Sequence, residues 1–238
     1  MKAKITRSLA ALLTSCTLLG SGCAGSYTAI RPDRIATYQA SPAGSPLQFG
    51  YQFDALRQHG HNKKYVKKEQ KKGYRVVAVQ VKNNTATEIN FSRDAVLYYG
   101  DRPIVPVSST IAAQDMKQGV AIYLLYVLLN VRVGATSTYT NGVQTSSTPG
   151  TFIPTGPFIA GGNMLGAGLA NKNFRRELEQ YDLTNRNIRP GETVNGILCL
   201  RETGVAPLRL ELRSVAASRP APALPTPPAA SPAPGTTN

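Results

Sequence analysis

Between residues 47 and 55 apolar side chains recur at every second position. Leu47, Phe49, Tyr51, Phe53 and Ala55 share one parity, and Gln48, Gly50, Gln52 and Asp54 the other. Successive side chains of an extended backbone point to opposite faces, so this segment reads as a strand with one face buried. In Tyr74 to Lys82, Val77, Val79 and Val81 fill one face while Val76 and Ala78 make the other apolar too. A strand covered on both sides belongs in the middle of a sheet, and Asn83, Asn84 and Thr85 end it with turn chemistry. Ile89 and Phe91 follow, then Ala95 to Tyr99, a turn at Gly100 and Asp101, and Ile104 to Val107. Pro103 and Pro106 confine that last piece to a sheet edge. Much later, Arg189 to Glu192 form a turn, Thr193 to Leu200 a strand, and Leu208, Leu210 and Leu212 alternate with Arg209, Glu211 and Arg213. Short strands so closely spaced predict a mainly β fold, a sandwich or barrel, split by a long insertion over 109–183.

The insertion has a different pattern. Ser108, Ser109 and Thr110 offer N-caps, and Ile111 to Leu129 reads as helix, apolar on all sides from Gly119 onward. Those eleven residues would span about 16 Å, roughly half the ~30 Å hydrocarbon core of a bilayer, so the segment cannot cross alone. Ser137 to Ser147 is polar and centred on Asn141-Gly142, which predicts an exposed β-hairpin. Phe158 to Ala170 begins a second helix after Pro157, with Gly162, Gly166 and Ala170 spaced for close helix packing. Its continuation is amphipathic, with Ala167, Ala170, Phe174, Leu178 and Tyr181 on one face. The expectation is an α+β chain: a β-sandwich with a two-helix insertion whose apolar portions bury against each other and the sheet. The alternative is a tip that enters a membrane or meets a partner.

At the N-terminus, Lys2, Lys4 and Arg7 precede an apolar run from Leu9 to Leu19, too short for a spanning helix. This reads as a cleavable signal. Gly20, Ser21, Gly22 and Cys23 then resemble a lipobox, the bacterial motif whose cysteine is lipidated and becomes the mature N-terminus. Leu13, Thr14, Ser15 and Cys16 match the letters of that motif better but leave a very short signal, so Cys23 is preferred and Cys16 is the alternative. The resemblance implies a lipid-anchored envelope protein, and Ala24 after the cysteine implies sorting to the outer membrane.

Removing residues 1–22 takes three of the 27 Lys and Arg and none of the 13 acids, which leaves 24 bases against 13 acids and a net charge of +11. So basic an exported chain suggests anionic neighbours such as lipid headgroups, lipopolysaccharide or another envelope protein, and not nucleic acid. Beyond Cys16 and Cys23 the one cysteine is Cys199, in the apolar run Ile197 to Leu200, which predicts a buried thiol and no disulfide framework. Residues 23–46, with Pro32, Pro42 and Pro46, read as a tether. Residues 215–238 hold seven of the 17 prolines and one charge, Arg219, and are predicted to be disordered.

The "VVAVQVKNNT" and "IRPGETVNGILCL" strands, at 76–85 and 188–200, resemble the immunoglobulin-like β-sandwiches of small exported lipoproteins. The likeness implies a sandwich over 47–108 and 184–214 and no particular activity. Lys63, Lys64, Lys67, Lys68, Lys71, Lys72 and Arg75 form a dense basic run suited either to an anionic surface or to a solvated, self-repelling loop or edge. His59 and His61 make an H-x-H pair with no carboxylate or cysteine cluster, so no metal or other cofactor is predicted. No nucleophile elbow, phosphate loop or zinc-protease motif is present, and the carboxylates are scattered. A non-enzymatic interaction or structural role is expected, with a membrane-active or pore-forming assembly as the alternative.

Overall fold

The computed structural model describes residues 25–40, 45–60 and 62–213. The signal sequence, both candidate lipidation cysteines, His61 and the Pro-rich tail lie outside the described residues.

The described chain mixes helix and antiparallel sheet. Strands β1 (Gln39–Ala40), β2 (Leu47–Gln52), β3 (Arg75–Asn83) and β12 (Thr193–Leu200) form one sheet in the order β1-β2-β3-β12. Strands β5 (Ala95–Tyr99), β6 (Arg102–Ile104) and β13 (Leu208–Leu212) form a second, ordered β13-β5-β6, and β4 (Ile89–Asn90) pairs with β11 (Asn187–Ile188). The long pairing of β3 with β12 runs from Lys82 opposite Thr193 to Arg75 opposite Leu200 and closes the sheet across the insertion.

Side-chain parity divides the core in two. Val77, Val79 and Val81 of β3 join Leu47, Phe49 and Tyr51 of β2, Leu198 and Leu200 of β12, Leu97 of β5 and Leu208 and Leu210 of β13 in a core shared by both sheets. Val76 and Ala78, with Ile197 and Cys199, face the opposite way into a second core. Helices cover that second face: α1 (Ala55–Gln58), α2 (Lys63–Lys72), α4 (Ser109–Met116) and α5 (Thr155–Gln180), while α3 (Phe91–Asp94) is one turn leading into β5. Tyr65, Met116, Phe174 and Leu178 fill it, and each is almost fully buried. Cys199 lies there as a buried free thiol whose ionisation burial opposes.

Three expectations need correction. The described part of 23–46 is not a loose tether, because Ile30 and Pro32 are buried and residues 32–34 form a 3-10 turn against the helical core. The basic run is not a loop or edge; Lys63–Lys72 is α2, anchored by Tyr65 and Glu69 on its buried side and ended by Gly73 in the left-handed conformation. Ile111 to Leu129 is not one helix: α4 stops at Met116, and a separate 3-10 helix runs over Ala121–Leu128.

Candidate association surface

Helix α5 is the frame of the insertion. Its buried row is Gly156, Ala160, Asn163, Ala167, Ala170, Phe174 and Leu178, steps of three or four that keep one side against the rest of the chain. Of the three small residues expected to pack, Ala170 is buried, Gly166 is half-buried, and Gly162 faces open space. A close approach also lies at Gly156. A β-carbon there would stand 2.3 Å from the carbonyl oxygen of Val127 and 2.5 Å from that of Tyr126. The backbone of the 3-10 helix therefore rests directly on the first turn of α5, and the Thr155 hydroxyl donates to the Leu129 carbonyl at 3.0 Å.

That packing covers only one side of each helix. Within the 3-10 helix Tyr123 alone is buried, while Leu125 is 64 % and Leu128 80 % exposed. On the outer side of α5, Phe158 is 79 % and Leu165 71 % exposed, and Leu169 continues their row. Gly162 sits in that row without a side chain, so the apolar residues flank a flat gap. Apolar residues this exposed and this closely grouped mark association surfaces more often than free surface.

Between the two helices the chain makes an extended ribbon. Strand β7 (Val131–Val133) pairs with β10 (Thr151–Ile153), and β8 (Thr136–Thr140) with β9 (Val143–Thr148). Asn141 and Gly142 turn it with φ of 52° and 77°, both positive as a two-residue hairpin of this hand requires. Every residue from 131 to 149 is exposed, so no other described part of the chain covers either face of the ribbon or pairs with its edges.

One sequence signal could have located this surface. From Gln118 to Asn171, 54 residues, the sole charged side chain is Arg132, whereas the chain-wide charged fraction of 17 % would place about nine there. Much of the segment is thus exposed and it is nearly free of charge, a composition closer to that of an interface centre than of a solvated surface.

The remaining candidates lie elsewhere. On α2, Lys63, Lys67, Lys71 and Lys72 are exposed while Lys64 and Lys68 are half-buried. Arg75 has left the basic helix for β3 and pairs with Asp54 at 3.3 Å. The Lys64 ammonium reaches the Tyr123 hydroxyl at 2.5 Å, joining the basic helix to the base of the apolar segment. Beneath α2, burial pushes the Glu69 carboxyl up to about 7 although it accepts the Val76 amide at 2.7 Å. His59 contacts the Gln52 side chain at 2.6 Å, and no group of three metal-ligating side chains occurs among the described residues.

A further junction was not anticipated. Gln118 donates its side-chain amide to the Gly25 carbonyl at 2.8 Å and exchanges two hydrogen bonds with the Asn171 side chain, at 2.7 and 3.0 Å. A β-carbon on Gly25 would lie 2.8 Å from the Lys64 side chain. The first described residue is therefore clamped where α2, the start of the 3-10 helix and the middle of α5 meet. Farther along, Glu177 of α5 accepts hydrogen bonds from the Ile30 amide at 3.0 Å, the Arg31 amide at 2.8 Å and the Tyr27 hydroxyl.

Comparisons with family models, with curated proteins and with solved structures found no match to this chain.

Proposed function

We propose that this chain is an exported lipoprotein of the cell envelope, anchored in the outer membrane through Cys23, that works without catalysis by associating through its insertion. The observation that carries this reading is the exposed, nearly charge-free surface over 118–171. Copies carrying a large positive charge repel one another or a basic partner wherever charge meets charge. An uncharged apolar surface provides contact without that cost. The signal and lipobox patterns support export and anchoring, and Cys16 is the alternative lipid site. The exposed lysines of α2 suit anionic lipid, lipopolysaccharide or an acidic envelope protein. Two sheets sharing one core, with β3 and β12 paired across the insertion, support an immunoglobulin-like sandwich as the scaffold.

The test is association of the full chain made without lipid, as Cys23→Ala, measured by sedimentation alone and with phospholipid vesicles. The expected result is self-association or vesicle binding that Leu128→Glu with Leu165→Glu abolishes, since both side chains are exposed and their replacement leaves the core intact. A monodisperse monomer that ignores vesicles contradicts the proposal.

One observation favours a pore-forming assembly as a second reading. The two legs of the ribbon, Val131 to Thr140 and Val143 to Ile153, are 10 and 11 residues long. A tilted β-strand needs about 9–11 residues to cross a bilayer, and ribbon edges from several copies would have to pair for the barrel to close. Release of a trapped dye from vesicles by the assembled protein is the result this reading requires.

A further inference from the structure

The association reading leaves open what covers the apolar face, and the position of Gly25 identifies it. We infer that the partner of the apolar arm, the 3-10 helix Ala121–Leu128 together with the N-terminal half of α5, is the lipid surface that holds Cys23. This inference rests on the association reading and on lipidation at Cys23.

Two peptide units separate Gly25 from Cys23, and chain can extend at most about 3.6 Å per residue, so the anchor lies within about 7 Å of Gly25. Gly25 is held by Gln118, and Gln118 is held by Asn171. The acyl chains must therefore enter the bilayer close to the waist of the molecule, where the helical core ends and the insertion begins. From that waist α5 runs back 16 residues to Thr155, about 24 Å at 1.5 Å per residue, carrying Leu169, Leu165 and Phe158 on its open side. The 3-10 helix starts three residues beyond Gln118 and packs along the same end of α5. An arm rooted this close to the anchor has the bilayer within reach of its base, and the described residues 25–40 add no linker, since they pack into the fold.

The chemistry of the arm agrees with its position. Lipid contact requires exposed apolar side chains and few charges, and the arm has Leu125, Leu128, Phe158, Leu165 and Leu169 outward and a single charge, Arg132. Lys64, beside both Gly25 and Tyr123, stands where an anionic headgroup would meet the waist. Among the described residues no helix is long and apolar enough to cross a membrane. The inference has the arm lie on or dip into the bilayer as an interfacial element.

The chain has no tryptophan, so one introduced indole reports without background. Full-length lipidated protein carrying Leu128→Trp, Leu165→Trp or Thr184→Trp would be placed in phosphatidylcholine–phosphatidylglycerol vesicles with bromine on the acyl chains. All three positions are exposed, and Thr184 lies past the far end of α5 from the arm. Leu128→Trp and Leu165→Trp should show blue-shifted emission and lose about half their intensity to acyl-chain bromine, as an element buried some 5–10 Å into the headgroup boundary would, while Thr184→Trp stays unquenched. Unquenched emission from both arm positions overturns the inference. If the same unquenched protein forms oligomers by crosslinking, association stands with a second copy as occupant. If it remains monomeric and binds nothing, the association reading falls as well. Mass spectrometry of the mature N-terminus checks the premise: lipid on Cys23 supports the placement, and a chain beginning at Cys16 overturns it by lengthening the leader before Gly25 from two residues to nine.

Discussion

The carboxylate of Glu177 accepts the hydroxyl of Tyr27, so the helix that carries the apolar arm also grips the first described segment of the chain. The same carboxylate takes the amides of Ile30 and Arg31, and Glu177 is buried. Burial, then the neighbouring charge of Glu177, raises the Tyr27 hydroxyl above its usual range, so it stays protonated as a donor. Bonds to a buried charge contribute about 1.5–3 kcal/mol each. Glu177→Gln, which keeps one acceptor and loses the charge, should destabilise the protein by about 2–3 kcal/mol in chemical denaturation. Its Ile30 and Arg31 amides should also exchange hydrogen faster. Unchanged exchange at both amides would mean the segment is held by other contacts.

Gly156 and Gly162 should respond in opposite ways to the same change. A methyl group at Gly156 meets the backbone carbonyls of Tyr126 and Val127 in the 3-10 helix and of Leu129 just after it, whereas one at Gly162 meets nothing. Gly156→Ala should cost about 1–3 kcal/mol by overpacking, seen as a lower melting temperature. Gly162→Ala should be neutral or stabilising by up to about 1 kcal/mol through helix propensity. Equal effects would contradict the way α5 crosses its neighbour.

Glu69 makes stability depend on pH. Desolvation raises its carboxyl from 4.5 to about 7, against the opposing bond from the Val76 amide. Between those values the folded state holds a proton that the unfolded chain has released, so stability falls as pH rises through the window. Glu69→Gln keeps an acceptor for Val76 and removes the titration. The variant should match the native protein near pH 4.5 and exceed it by about 2–3 kcal/mol at pH 8. A constant difference across the window would place the pH dependence elsewhere.

The sheets were legible because burial on one or both faces writes itself into parity. Val77, Val79 and Val81 against Val76 and Ala78 mark β3 as central, and Asn141-Gly142 marks the hairpin tip. What escaped depends on partners distant in sequence. Six lysines in ten residues read as repulsion, yet Tyr65 and Glu69, four apart, bury one side of that segment against core residues such as Phe174 and make it a helix. Prolines suggested a tether, but Ile30 and the Glu177 carboxylate hold the segment in the fold. Small residues recur in two rows along α5, through Gly156 and through Gly162, and spacing alone does not say which row meets the 3-10 helix. The uncharged stretch was present in the sequence throughout; its meaning depended on learning that it is exposed.

The most direct measurement compares hydrogen exchange over residues 119–153 in the lipidated protein in vesicles and in the Cys23→Ala protein in buffer. A two-stranded ribbon exposed on both faces is marginal in water and should exchange quickly there. The account predicts exchange slowed by about tenfold or more in vesicles, equivalent to ~1.4 kcal/mol of protection, with β3 and β12 unchanged. Equal exchange over 119–153 in the two samples would contradict it.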